Sequence, residues 1–220
     1  VLAVRPDGVA DPSQRRASLR QARSRQTKRA LLQAAVALWR ANGYAHTTVA
    51  DICRAAGVSK ALFYFYFPRK EDVLFEIGVL STQAAHRTAH QLLQKPYEVP
   101  QVIAAALASL ERSMRRNPRE LIIETILEGY RQEHRILAAG RQLEGTALIF
   151  AELFEKAQAD GKIPAHVDVH HLANVAQSLV SEGARHWAAG EYGERSFTDV
   201  VARDISAFLA GVSAQASNDG

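Results

Sequence analysis

The chain has 220 residues, 47% of them hydrophobic, enough to build a sizeable core, and its single cysteine, Cys53, excludes an internal disulfide and any CxxC metal or redox pair. Its formal net charge of +4 is unevenly placed: residues 1–70 hold 13 Lys and Arg against 3 Asp and Glu, net +10, and residues 71–220 hold 14 against 20, net −6. A basic head and an acidic body imply different partners. A polyanion suits the head, because each phosphate neutralised by Lys or Arg releases condensed counterions; a solvated basic face is the other reading of the same charge.

Residues 1–22 are rich in Arg, Gln, Ser, Pro and Gly with little apolar periodicity, and read as a flexible basic arm. From Arg23 the pattern turns helical: Leu31, Ala34, Ala35, Leu38 and Trp39 share one face, and Gly43 is placed to end the helix in the left-handed conformation. Thr48, with Asp51 three residues on, predicts a capping box for a short helix whose apolar face is Val49, Ile52, Cys53 and Ala56. Gly57 then supplies a turn and Ser59 a second cap. Helix, tight turn, helix is the reading of Thr47 to Phe67, with Cys53 as a small buried hydrophobe at the crossing rather than a reactive thiol.

The segment LFYFYF, Leu62 to Phe67, alternates like a strand, but the capped turn before it and Pro68 after it leave room only for a helix. At 100° per residue Phe63 and Phe67 lie about 40° apart and close a core with Val58, while Phe65 points about 200° from Phe63, flanked by Tyr64 and Tyr66.

Beyond residue 71, apolar stripes of helical period run over 71–94, 98–116, 119–131, 134–159, 168–189 and 197–210. Asp168 and Ser196 are candidate N-caps, and Gly161 and Gly211 candidate stops. No strand is predicted. The expectation is an all-α fold of about nine helices: an arm at 1–22, a three-helix helix-turn-helix domain at 23–70, a larger helical domain at 71–212 and a flexible tail at 213–220.

No apolar run approaches the roughly 18 residues that span a bilayer. The opening VLAVRPDGVADPSQRR lacks the apolar stretch of a secretory signal, so the expectation is a cytoplasmic protein with no membrane partner. There is no phosphate-cradling Gly loop, HExxH or GxSxG, so no catalytic residue, cofactor or enzymatic activity is expected. His86 and His90 stand at i, i+4 and His170 adjoins His171, but no carboxylate or cysteine cluster in the sequence completes a metal site, and no metal is expected. Glu124 and Glu128 read either as a solvated face or, turned inward, as partners of a cationic ligand.

Arg25 to Leu74, with TTVADI, AAGVSK, FYFYF and KEDVL at their mutual spacing, resembles the N-terminal DNA-binding domain of the tetracycline-repressor-like (TetR) family. The remainder, with AQADGKIPAHVDVHHLANV and a final FLAG, is similar to the ligand-binding and dimerising domains of that family. The resemblance implies a homodimeric repressor that binds operator DNA and is released by a small-molecule effector. It implies DNA contacts from Thr47, Thr48, Ser59, Lys60, Ala61, Leu62, Tyr64, Phe65, Tyr66 and Lys70. By position Lys60 donates to guanine, Ala61 and Leu62 meet thymine methyls, and Thr47, Thr48, Tyr64, Tyr66 and Lys70 meet phosphates. Phe65 faces DNA or packs on a neighbouring helix.

Ala50, Ala61 and Leu62 depart from the family's more polar pattern, which shifts the expected readout toward methyl contacts and shape. Arg15, Arg16, Arg20, Arg23 and Arg25 either reach DNA or form a solvated tail. For the effector, Met114, Tyr130, Phe150, Phe154 and Trp187 are candidate pocket residues. Apolar faces on the last two long helices, from Ala173 to Ala184 and from Val200 to Leu209, are read either as dimer interface or as ordinary core. The alternative function is an architectural DNA-binding protein whose acidic domain docks a protein partner.

Overall fold

A computed structural model describes residues 12–140 and 148–215. Among them nine helices and no strand are found: α1 Pro12–Asn42, α2 Val49–Ala56, α3 Lys60–Tyr66, α4 Lys70–Leu92, α5 Val99–Met114, α6 Arg119–Ala138, α7 Ala151–Ala159, α8 Val169–Ala189 and α9 Phe197–Gln215. The chain divides into a first unit ending at Arg69 and a second beginning at Lys70.

In the first unit α1 packs on α2 and α2 on α3. The buried apolar side chains are Leu31, Leu32, Ala35 and Trp39 from α1, Ile52 and Cys53 from α2, and Phe63 and Phe67 at α3. α2 is closed at both ends by local chemistry. Thr48 accepts from the Asp51 amide while Asp51 accepts from that of Thr48, and Gly57, at φ +67°, ends the helix in the left-handed region that a side chain would oppose. Ser59 Oγ accepts from the Leu62 amide at 3.2 Å and starts α3. Burial pushes the Cys53 thiol above its ordinary value, as befits a packing residue.

Boundaries differ from the pattern-based expectation in α1, α6, α7 and α9. α1 starts at Pro12 rather than Arg23, so residues 12–22, read from sequence as flexible, are helical; residues 1–11 and 216–220 lie outside the described residues. The physical reason is that Arg, Gln, Ala and Leu favour helix without an apolar stripe, and no Gly or Pro interrupts positions 13–42. α6 runs through the expected break near residue 131 to Ala138 and ends before Gly140, at φ +67°; of the expected helix 134–159, residues 134–138 belong to α6, Ala151–Ala159 forms α7, and residues 141–147 lie outside the described residues. α9 likewise passes through Gly211 to Gln215.

The second unit is a bundle in which α4 packs on α5 and α6, α5 on α9, α8 on α6, α7 and α9. Its core runs from Ala85 and Ile103 through Phe150, Phe154 and Ala176 to Ile205. Asp168 caps α8 by accepting from the amides of His170 and His171. α9 is capped twice, by the adjacent Ser196 and by Glu111 from α5. One oxygen of the buried Glu111 accepts from the Thr198 amide at 2.9 Å and hydroxyl at 2.6 Å, and the other from Arg115.

Burial raises the Glu111 pKa, but the Thr198 bonds and Arg115 outweigh it and leave the carboxyl below its ordinary value. Its folded pKa is thus depressed, so its contribution is present above the ordinary value of 4.5 and lost as pH falls through the folded one. Glu111→Gln should lower stability near pH 7 by about 1–3 kcal/mol, and the gap between variant and wild type should narrow below about pH 4.5. Urea melts at both pH values test this; an equal gap at each would contradict it.

Candidate nucleic-acid interface and effector cavity

Across the turn at Gly57, α2 and α3 form a helix-turn-helix whose inner side is Ile52, Cys53, Phe63 and Phe67. The outer side of α3 follows from its helical period. Lys60 and Ala61 at its N-terminus are exposed, Leu62 is half-buried, and Tyr64 and Phe65 are 50% and 76% exposed. Phe65 is therefore no core residue. Among described residues it touches the Tyr66 ring edge-on at 5.1 Å, and Tyr64 meets Phe63 in the same way at 5.4 Å.

The structure separates the ten candidate DNA contacts. Ser59, Lys60, Ala61, Leu62, Tyr64 and Phe65 lie together on or at the start of α3, and Thr48 is exposed at the start of α2. Thr47 is only 2% exposed, and its hydroxyl donates to the Gly43 carbonyl at 2.9 Å. The following residue, Thr48, takes the cap position expected of it and is the only one of the two threonines that faces outward. Tyr66 is half-buried and donates its hydroxyl to Ser24 Oγ of α1 at 3.0 Å, so it ties α3 to α1. Lys70 opens α4 in the second unit.

Electrostatically the first unit is nearly without anions. Asp51 is the only acid between residues 12 and 69. Its pKa is held low by the Thr48 hydroxyl and amide and by Arg54, whose guanidinium lies 3.0 Å away, so this carboxylate is already engaged.

In the second unit a cavity of about 110 Å³ lies among α4, α5, α6 and α8. Gly78 makes room for it at the α4–α6 crossing, where an added Cβ would stand 3.0 Å from the Thr125 methyl. No ionisable side chain lines it. Most of its polar side chains bond within the protein: Thr82 and Thr125 donate to the carbonyls of Gly78 and Leu121, Ser81 pairs with Ser113, Asn117 donates to Ser113, and Gln177 accepts from Ile149. What remains facing the cavity is apolar, with Ile77, Leu110, Met114, Ile122, Ile126 and Val180 prominent.

Of the five pocket candidates from sequence, Met114 lines this cavity and the others do not. Phe150 and Phe154 are sealed in the core at 1% and 0% exposure, because they face inward from α7 onto α8. Trp187 lies under the guanidinium groups of Arg115 and Arg119, at 5.3 and 5.8 Å. Tyr130 is exposed and does not line the cavity.

A wider, open cleft of about 620 Å³ at Tyr97 is charged, with Lys95, Lys156 and Lys162 beside Glu98 and Asp160. Glu128 is buried and paired with Arg131 and Arg135, which corrects its reading as part of a solvated face. His86 and His90 share Glu152 of α7, at 3.7 and 2.7 Å, and among the described residues no group of three or more His, Cys, Asp or Glu is placed to hold a metal ion. No described helix is long and apolar enough to cross a membrane.

Residues 31–77 match the family model of bacterial regulatory proteins of the tetR family. A search of curated proteins by sequence gave no match. Among solved structures, the fold is similar to FadR from Thermus thermophilus, a TetR-family transcriptional repressor in complex with lauroyl-CoA, at TM-score 0.69 and 23% identity over 83% of this chain and 93% of that one. It is also similar to FadR from Bacillus subtilis in complex with stearoyl-CoA, at TM-score 0.59 and 19% identity over 83% and 97%. RolR in complex with resorcinol gives TM-score 0.59 and 17% identity over 90% and 96%.

Proposed function

On the premise that the head of this chain belongs to the TetR family of bacterial regulatory proteins, we propose that the protein is a sequence-specific DNA-binding transcriptional regulator. It acts as a repressor that a small-molecule effector releases from its operator. The observation that carries the reading is the exposed face of α3, with Lys60, Ala61, Tyr64 and Phe65 outward in a unit whose only described acid is paired internally.

α3 enters the major groove. Lys60 donates to guanine O6 or N7, Ala61 and Leu62 meet thymine methyls, and Phe65 adds an apolar edge to the same contact. Tyr64 and Lys70 bind phosphates, which fix register without reading sequence. Thr47, Thr48 and Tyr66 serve the fold of the head, since their hydroxyls are engaged internally.

The working unit is a homodimer joined through α8 and α9, which places two copies of α3 on a two-fold operator. Ala173, Ala176, Val180, Ala184, Val200 and Ile205 are core within one chain. The partly buried Leu179, Phe208, Leu209 and Val212 are left for the partner copy.

The effector is an uncharged, apolar body. An ionised group entering the 110 Å³ cavity would meet no opposite charge and mostly polar side chains already bonded. An apolar cavity of roughly 150 Å³ holds benzene, so a ring or short alkyl segment is the scale that fits without rearrangement. The FadR proteins are in complex with lauroyl-CoA and stearoyl-CoA and RolR with resorcinol; the acyl part of the first two and the ring of the third support an apolar body here, while the ionised CoA part has no counterpart in this cavity. To release DNA the ligand must bind more tightly to the conformation that cannot fit the operator.

Selection from a pool of random duplexes tests the function. Enrichment of one two-fold-symmetric sequence, with affinity falling steeply as salt rises, is expected. Uniform binding without enrichment would favour the architectural alternative.

A further inference from the structure

Between positions 12 and 50 there is no aspartate or glutamate, and eight Lys and Arg stand in that span. α1 runs unbroken through most of it. Contacts that join α1 to the α3 region include the Tyr66 hydroxyl on Ser24 at 3.0 Å and the Lys28 ammonium over the Phe67 ring at 5.7 Å. N-terminal to Ser24 the helix loses its inward face, and residues 16–23 are all exposed. A stretch that buries nothing is not there to build the core.

The charges on this stretch are ordered. At 100° per residue Arg16, Arg20 and Arg23 fall within an arc of about 60°, a stripe roughly 10 Å long. Arg16 and Arg20, at i, i+4, repel each other across one turn, and no acid on a neighbouring turn offsets them. Such a stripe is unfavourable alone and favourable against a row of anions.

We propose that this helical arm is a second DNA-binding element, a phosphate clamp lying along the duplex backbone beside the groove that α3 enters. The inference rests on the DNA-binding function proposed above and adds to it where the protein grips outside its half-site. The Tyr66–Ser24 tether sets the arm's root beside the last residue of α3. The chemistry fits phosphate rather than bases, because three long cations spaced along one helical face match a repeating charge and carry no donor–acceptor pattern of their own. A preformed helix also loses less freedom on binding than a flexible tail.

The test compares wild type with Arg16→Ala, Arg20→Ala, Arg23→Ala combined in the full chain, on the duplex that wild type selects. Alanine preserves helix propensity, and circular dichroism checks that helicity is retained. The clamp predicts that the slope of log affinity against log salt shrinks by up to about 2.7, near 0.9 for each phosphate left without its arginine. Between 50 and 200 mM salt, wild type should then lose about 40-fold more affinity than the variant. Hydroxyl-radical protection should retreat at the outer edges of the site while the selected sequence stays the same. A variant with wild-type slope, affinity and protection overturns the clamp and leaves the DNA-binding function standing; a variant that selects a different sequence also overturns it. If wild type itself enriches and binds no duplex, clamp and function fall together.

Discussion

Phe63→Ala is expected to cost the first unit about 3–5 kcal/mol and, with it, measurable DNA binding. Phe63 is fully buried on a seven-residue helix, and its ring meets Phe67 at 5.8 Å. A helix of that length has no stability of its own in water, so α3 exists because this face is held against α2. Removing the ring deletes the burial and leaves a cavity that so small a unit fills poorly. The chain's two tryptophans allow a clean measurement, since Trp39 is buried in the first unit and Trp187 lies in the second. With Trp187 replaced by Phe, urea unfolding followed by Trp39 should shift to a much lower midpoint in the Phe63 variant. With Trp39 replaced instead, the transition seen by Trp187 should hardly move. A small shift at Trp39 would mean that α3 is held by something other than its inner face.

Gly183→Val should be the most damaging single substitution at the α8–α9 crossing. A Cβ built on Gly183 would stand 2.3 Å from a Val201 methyl, and Val201 is itself buried at 1% exposure, so neither helix can yield without repacking. Overpacking of this kind costs about 1–3 kcal/mol, and a unit of this size loses roughly 2–4 °C of melting temperature per kcal/mol. Val201→Ala removes the clashing methyl. The double variant should therefore be less destabilised than the sum of the two singles, a coupling that a thermal melt of all four proteins reads directly. Strict additivity would show that the two helices do not approach as closely as described.

The head was legible because each of its decisions is local. Thr48 with Asp51, then Gly57, then Ser59, each fix one backbone choice within a few residues, and together they force the LFYFYF segment into a helix against its strand-like alternation. Once that is fixed, the outward direction of Phe65 and the inward direction of Phe63 and Phe67 follow from helical period alone.

Non-local pairings were not legible. The cap at Thr48 was readable from Asp51, but only the fold shows that the hydroxyl of its neighbour Thr47 turns back to Gly43 instead of facing outward. Tyr66 shares the residue type and neighbourhood of Tyr64, yet Ser24, 42 residues away in the chain, takes its hydroxyl. The arm escaped because apolar periodicity reports burial, and an exposed helix buries nothing.

The cavity was missed for a related reason. Large aromatic residues draw attention as pocket walls, but Phe150 and Phe154 fill their own space, whereas the cavity is made where Gly78 and small hydroxyl residues on three separate helices leave space unfilled. One glycine in the middle of α4, where it weakens the helix, was the available signal.

The central claim is that the outer face of α3 reads DNA sequence. The most direct test repeats the duplex selection with Lys60→Ala and with Leu62→Ala, each checked for wild-type folding by the Trp39 transition. The account predicts that each variant still binds DNA but enriches altered bases at a symmetric pair of positions, with about 1–3 kcal/mol of discrimination lost there. Selection of the same sequence with the same base preferences by both variants would contradict it.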